Sequence, residues 1–460
     1  MSNRNRLYLC AVMLLLACTL LGCGLLPEKP QEASAPAAPE EAAGEAAPEP
    51  PKTVSLGGED FAPDTAALTL PAGTTAEELD RLDEFTGLTN VDGAACACYE
   101  ALANKAAEMP DVAFSWQGTV CSVTVRSTDE TADFTGASGF DADALLAALP
   151  SFPLLKTVDL TGLPLTVADM TKVTAGAPDV AFLWSVTLYG ETVDSEATEL
   201  DLSGRSIVDP AELQEKLAWL PNLTKVDLCD TGLSDAQMEA LSAAYPSVKF
   251  VWMIHVGGWV MRTDVKAFSK GNRRSFEGGE FVSGRTDLTT EDIQPLKYCT
   301  DLVALDLGHS RKITDISIIE NMPKLRFLIV AMTGVTDISS IEKCPELEYV
   351  ETFQNYLEDL SPLLTLKKLT HLNCSTNIPK DKSKREVCAD ANFEMLKKMT
   401  GLKRLWCIRD GFSKAQIAEL QAALPDCEIN TTGVHSTSNG WRDNDMYKEM
   451  QKLFNLSTLD

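Results

Sequence analysis

Short apolar spacings of the form Leu-x-x-Leu-x-Leu punctuate the second half of the chain. They begin with Leu302, Leu305 and Leu307. They return as Leu325-x-x-Leu328-x-Val330, Leu347-x-x-Val350-x-Thr352 and Leu369-x-x-Leu372-x-Cys374, at steps of 23, 22 and 22 residues. One more copy, Leu402-x-x-Leu405-x-Cys407, follows an insertion at about 378–398. Alternation over so short a run predicts a strand. Past the strands comes a second signature, seen in Thr314-Asp315-Ile316-Ser317, Thr336-Asp337-Ile338-Ser339 and Glu358-Asp359-Leu360-Ser361. One aspartate per turn is sparse for calcium and suits the cap of a short 3-10 or helical turn. Asn355 and Asn377 follow their strands and are placed to bond neighbouring backbone, and Thr333 fills that place imperfectly.

The first half has a longer period. Pro110-Asp111-Val112-Ala113-Phe114-Ser115-Trp116 recurs at Pro178–Trp184 and Pro246–Trp252, so Trp116, Trp184 and Trp252 stand 68 residues apart. Each Phe-x-Trp segment alternates like a strand. Gly190 in the second copy and Gly257-Gly258 in the third predict β-hairpin turns. Leu155-x-x-Val158-x-Leu160 and Leu223-x-x-Val226-x-Leu228 read as longer relatives of the leucine-spaced strand, and helices carry Leu145, Leu149, Leu213 and Leu217. The recurring tryptophans sit at one phase of every unit, which points to inter-repeat packing.

Five copies in one register strongly resemble leucine-rich repeats, particularly the 22-residue kind of the internalins. The layout, with its tail Ile429-Asn430-Thr431-Thr432 and Gly440-Trp441-Arg442, resembles leucine-rich-repeat lipoproteins of Gram-positive anaerobes over roughly residues 75–455. The resemblance implies an α/β fold. Its leucine-rich-repeat solenoid of parallel strands with helices or 3-10 turns spans 291–430 and follows three 68-residue hairpin units over 59–290. Each coil leaves an apolar edge that only a neighbour covers, so the array must be capped. Residues 431–460 are read as that cap, on the open edge of the last repeat. There Asp443 starts a helix with Met446, Tyr447, Met450, Leu453 and Phe454 on one face. A partner-binding amphipathic helix is the alternative.

The amino terminus has a different character. Arg4 and Arg6 precede an apolar run from Leu7 to Leu21, too short to span a membrane. Leu20-Leu21-Gly22-Cys23 resembles the lipobox of bacterial lipoproteins, which implies cleavage after residue 22 and a lipid on Cys23. Leu15-Leu16-Ala17-Cys18 and an uncleaved anchor are the other readings. The Ala, Pro and Glu of 23–58 bury too little to fold and read as a tether. Together these features place the protein on the outer face of the bacterial cytoplasmic membrane.

Composition narrows the function. The 460 residues carry a formal charge of −27, which argues against a nucleic-acid partner. Residues 1–260 hold 13 basic and 38 acidic side chains, so the acidity is concentrated there. With four histidines on separate elements, and without hydrolase, zinc-protease or phosphate-loop motifs, no enzyme, metal or cofactor is expected. Of the cysteines, Cys299, Cys344, Cys374 and Cys407 recur at repeat positions and read as buried thiols. Cys96, Cys98 and Cys121 are close enough in sequence to pair or to bind a metal.

The candidate site is the concave wall. Between the leucines, one column reads Phe327, Tyr349, His371, and the next Ile329, Glu351, Asn373 and Trp406. Arg326, Glu348, Phe353, Lys403 and Arg404 stand beside them. Strands about 4.8 Å apart stack the first column into an aromatic ladder of the kind interfaces favour. The expectation is a binding module that takes a surface protein or a glycan on this face. A scaffolding envelope lipoprotein and a cell-wall enzyme accessory are the alternatives. The face serves that purpose only if neither the insertion at 378–398 nor the cap folds over it.

Overall fold

A computed structural model describes residues 52–455. The leader, Cys23 and nearly all of the proposed tether lie outside the described residues. Among those described, no helix is long and apolar enough to cross a membrane.

Folded structure begins earlier than the sequence suggested. A hairpin pairs Val54–Leu56 with Glu59–Phe61 and buries Val54 and Leu56, inside the stretch read as tether. Three parallel triplets follow. Ala67–Thr69, Asn90–Asp92 and Ala113–Ser115 form the first, and Thr131–Asp133, Thr157–Asp159 and Ala181–Leu183 the second. Glu199–Asp201, Lys225–Asp227 and Lys249–Val251 form the third. Each 68-residue period therefore contains three parallel strands in a sheet of its own.

Every triplet ends in an antiparallel hairpin: Gln117–Val120 with Val123–Arg126, Ser185–Leu188 with Glu191–Asp194, and Met253–Val256 with Trp259–Arg262. Gly190 (φ +88°) and Gly257 (φ +59°) occupy the left-handed turn positions the sequence assigned to them. The recurring tryptophans are buried, as expected. In each, the backbone N–H donates to a hydroxyl eleven residues on, at Ser127, Ser195 and Thr263. Their indole N–H groups donate to Ser151 O, Trp219 O and Asp235 Oδ1.

The last sheet has seven parallel strands in one register: Ala267–Ser269, Ala304–Asp306, Phe327–Ile329, Tyr349–Glu351, His371–Asn373, Arg404–Trp406 and Glu428–Asn430. It crosses the boundary drawn at 290/291 and continues one strand past the copy at Leu402. The fold is of the leucine-rich-repeat type, and the central strand residues Leu305, Leu328, Val350, Leu372 and Leu405 are fully buried in its core.

Opposite the strands, local chemistry decides the element. Asp315, Asp337 and Asp359 accept the backbone N–H of the serine two residues on and open the 3-10 turns Ser317–Asn321, Ser339–Lys343 and Ser361–Thr365. Where a capping box stands instead, at Thr166/Asp169, Ser234/Gln237 and Ser413/Gln416, α-helices form: Val167–Gly176, Asp235–Ala244 and Lys414–Ala423. Asn355 makes the expected ladder. Its Oδ1 accepts from Thr333 N at 2.7 Å, its Nδ2 donates to Val330 O at 2.8 Å, and its own N–H donates to Asn377 Oδ1. The insertion folds as the helix Arg385–Leu396 beside Ser361–Thr365 and Lys414–Ala423, on the helical side and away from the concave wall.

Candidate functional site

Strand pairing puts Phe327 opposite Tyr349 and Tyr349 opposite His371, so the ladder exists as expected. Ring centroids are 6.4 Å apart for the first pair and 5.9 Å for the second. The wall is not open, however. Phe327, Tyr349, Glu351, Asn373 and Trp406 have no exposed surface, and Ile329, Phe353 and His371 are also buried. This corrects the reading of these residues as an accessible binding face. The physical reason is that an aromatic ladder is apolar enough to form a second core, and the chain supplies the other half of it.

That half is the C-terminal segment. The helix Asp445–Leu453 lies over the concave strands rather than on the edge of the last repeat. Its N-cap is Asn444, whose side chain accepts from Tyr447 N, and not Asp443. Met450, Phe454 and Trp441 are buried against Phe327, Ile329, Tyr349, Phe353 and Trp406, with Met446 and Tyr447 at the margin. Leu453, expected on the same face, is exposed. Trp441 is the keystone of this contact: its ring lies 5.2 Å from Tyr349, 6.4 Å from His371 and 5.2 Å from Trp406.

Polar groups of the wall are used to hold this strap. Glu351 accepts from the Tyr349 hydroxyl (2.5 Å), Trp441 Nε1 (2.7 Å) and Arg442 Nη2 (3.0 Å). Asn373 donates to Ser436 O, Gln354 to Ser436 Oγ, and Trp406 Nε1 to Ser438 O. At the far end Asn272 donates to Phe454 O at 2.9 Å. The edge residues do the same. Arg326 pairs with Glu348 and with Glu449 of the strap helix, and Arg404 donates to Gly440 O and pairs with Glu428.

Burial sets the protonation states. The Tyr349 phenol is pushed well above its ordinary range by burial and by the Glu351 carboxylate. Burial, then the charges of Arg404 and Lys403, hold His371 down at about 4, so the imidazole is neutral. Burial opposes the Arg442 charge, and the Glu351 carboxylate outweighs it and raises the Arg442 pKa. Burial raises the Asp306 carboxyl.

Sequence reasoning missed Ser436, Trp441, Arg442 and Asn272 as members of this cluster. A signal was present: one chain carried two unpartnered apolar surfaces, an aromatic wall and an amphipathic terminal helix.

The concave side of the earlier coils is different. Ala67, Thr69, Asn90, Ala113, Thr131, Asp133, Ala181, Glu199 and Asp201 are exposed at the equivalent strand positions. The aspartates there serve the fold: Asp133, Asp159 and Asp201 each accept the backbone N–H two residues on, at 2.9 Å. The cysteines of the described residues are free. Burial pushes Cys229, Cys299, Cys344 and Cys427 up to about 12, so these thiols are protonated and inert. Among the described residues no group of three metal-ligating side chains forms, Cys96, Cys98 and Cys121 included.

Comparison with known proteins gives only distant matches. No family model and no curated protein matches the chain. Internalin C2 of Listeria monocytogenes is similar at 19% identity, over 31% of this chain and 69% of that one, with a TM-score of 0.22. A second internalin of that organism is 16% identical, over 63% of this chain and 78% of its own, with a TM-score of 0.25. A leucine-rich-repeat protein of Leptospira interrogans is 14% identical, over 79% and 92%, with a TM-score of 0.25. Scores this low carry no functional argument, and the fold rests on the strand register described above.

Proposed function

We propose that this chain is a non-enzymatic binding module, held by a lipid on Cys23 at the outer face of the bacterial cytoplasmic membrane. It meets a surface protein or glycan on the concave side of its first coils, between residues 67 and 249. The observation that carries this reading is the contrast along one wall. The strand positions that face outward are exposed at Ala67, Ala113, Thr131 and Ala181 and buried at Ala267, Ala304, Phe327, Tyr349 and His371. An array of parallel coils offers a wide, rigid surface at small cost in ordering, which suits recognition. Bulky charged substitutions test it. Ala113→Arg and Ala181→Arg, in the full chain in mild detergent, lower crosslinked capture of cell-surface protein or glycan and leave the melting midpoint unchanged. Capture that neither variant weakens refutes the reading.

The scaffolding alternative is favoured by the sealed wall itself, because side chains of interface type are used internally to hold the terminal helix on the strands. It predicts that Phe327→Ala, Tyr349→Ala and Trp406→Ala all destabilise the fold, and that no concave variant alters capture.

A further inference from the structure

The open concave stretch ends at a cleft that breaks with the rest of the surface. Between the third triplet and the seven-stranded sheet lies a cavity of about 480 Å³, lined by Lys225, Lys249, Arg262, Asp264, Val265, Lys266, Glu277, Gly278 and Asp301. Its charges divide into two groups. Arg262 pairs with Asp227 (2.7 Å) and Asp264 (2.8 Å), and Lys225 pairs with Asp264 (3.1 Å), so two cations meet two carboxylates. Asp301 alone faces three ammonium groups: Lys249 at 3.5 Å and Lys266 at 3.6 Å in the lining, and Lys324 at 2.5 Å outside it. Glu277 lines the cavity and pairs with none of these cations.

The repeat does not require this arrangement. One period earlier, Thr157, Ala181, Asp194 and Thr198 stand where Lys225, Lys249, Arg262 and Lys266 stand here, on the same parallel strands and hairpin. The cations are therefore an addition to the framework, set where the acidic first part of a chain of charge −27 meets its nearly neutral second part. Charge more than about 8 Å away is largely screened at physiological salt, so the local excess governs what approaches. Lys249, Lys266 and Lys324 come from three separate coils, and their compact ammonium groups suit tetrahedral oxyanions.

We propose that this cleft binds a soluble ligand bearing phosphate groups, whose negative charge is met by the ammonium groups around Asp301. The assignment rests on the reading of the concave side as a binding surface and names the ligand chemistry at its end.

Calorimetric titration of the full chain in detergent with pyrophosphate, at physiological ionic strength, tests it. Saturable one-to-one binding is expected. Lys249→Gln, Lys266→Gln and Lys324→Gln each weaken it about tenfold, the worth of one charge-assisted hydrogen bond. Lys156→Gln, which removes an exposed ammonium paired with Glu130 one period away, leaves it unchanged. Lys266 and Lys324 side chains are 59% and 61% exposed, so these two variants keep the fold. No saturable heat, or equal weakening by Lys156→Gln, overturns the assignment. So does binding that requires phosphatidylglycerol in the micelles. Absence of pyrophosphate binding with capture still sensitive to Ala113→Arg defeats the ligand assignment and leaves the binding surface standing.

Discussion

Trp441→Ala is the sharpest perturbation of the strap. The indole is fully buried, touches three rings of the wall and donates one of the three hydrogen bonds received by Glu351. Truncating a buried tryptophan costs about 3–5 kcal/mol. The orphaned carboxylate retains Tyr349 and Arg442, so the polar loss adds little. In a repeat array each coil depends chiefly on its neighbours, and the strap can therefore lift while the coils stay folded. A local loss of about 4 kcal/mol raises the open population roughly a thousandfold. Hydrogen exchange of the strap helix Asp445–Leu453 accelerates by that factor. Exchange in Thr157–Asp159 and Lys225–Asp227 stays native, and the variant binds a hydrophobic dye. A Trp441→Ala protein with native exchange in the strap helix and no dye binding refutes the strap as the wall's cover.

Four further outcomes follow from the same geometry. Phe327→Ala, Tyr349→Ala and Trp406→Ala each lower stability by about 3–5 kcal/mol in denaturant titrations, whereas an open wall predicts changes near zero. Arg442→Met leaves Glu351 buried without its cation and costs about 3–5 kcal/mol, and adding Glu351→Gln restores most of it in a double-mutant cycle. His371 is 8% exposed with a folded pKa of about 4, below the 6.5 of the unfolded imidazole. The unfolded state thus binds the extra proton, and stability is lost as pH falls from about 6.5 towards 4, by about 3 kcal/mol. Stability measured against pH loses that component in His371→Asn. Asn355→Ala leaves Thr333 N–H buried and unpartnered and costs about 1–3 kcal/mol by chemical denaturation.

The candidate site divides along the same lines. The register that stacks Phe327, Tyr349 and His371 was legible because a 22-residue step leaves no freedom in which side chains share a column. Whether that column faced water was not legible. The sequence pattern of an open interface and that of a second core are the same pattern, and only the partner differs. The helix face with Met450 and Phe454 carried the answer some hundred residues away from Phe327, with no local signal linking the two. The cleft at Asp301 was hidden for the same reason: Lys249, Lys266 and Lys324 are scattered in the sequence and converge only when their coils stack.

What the sequence determined by itself is local and periodic. The leucine spacing, the aspartate-capped turns, the Asn355 ladder and the glycines at the hairpin turns follow from contacts within a coil or between consecutive coils. The tertiary structure decided which apolar surface meets which. It brought Trp441 and Arg442 onto Tyr349 and Glu351 and left the earlier coils bare. Burial is a property of pairs of surfaces, and a chain read one residue at a time specifies each surface without specifying the pair.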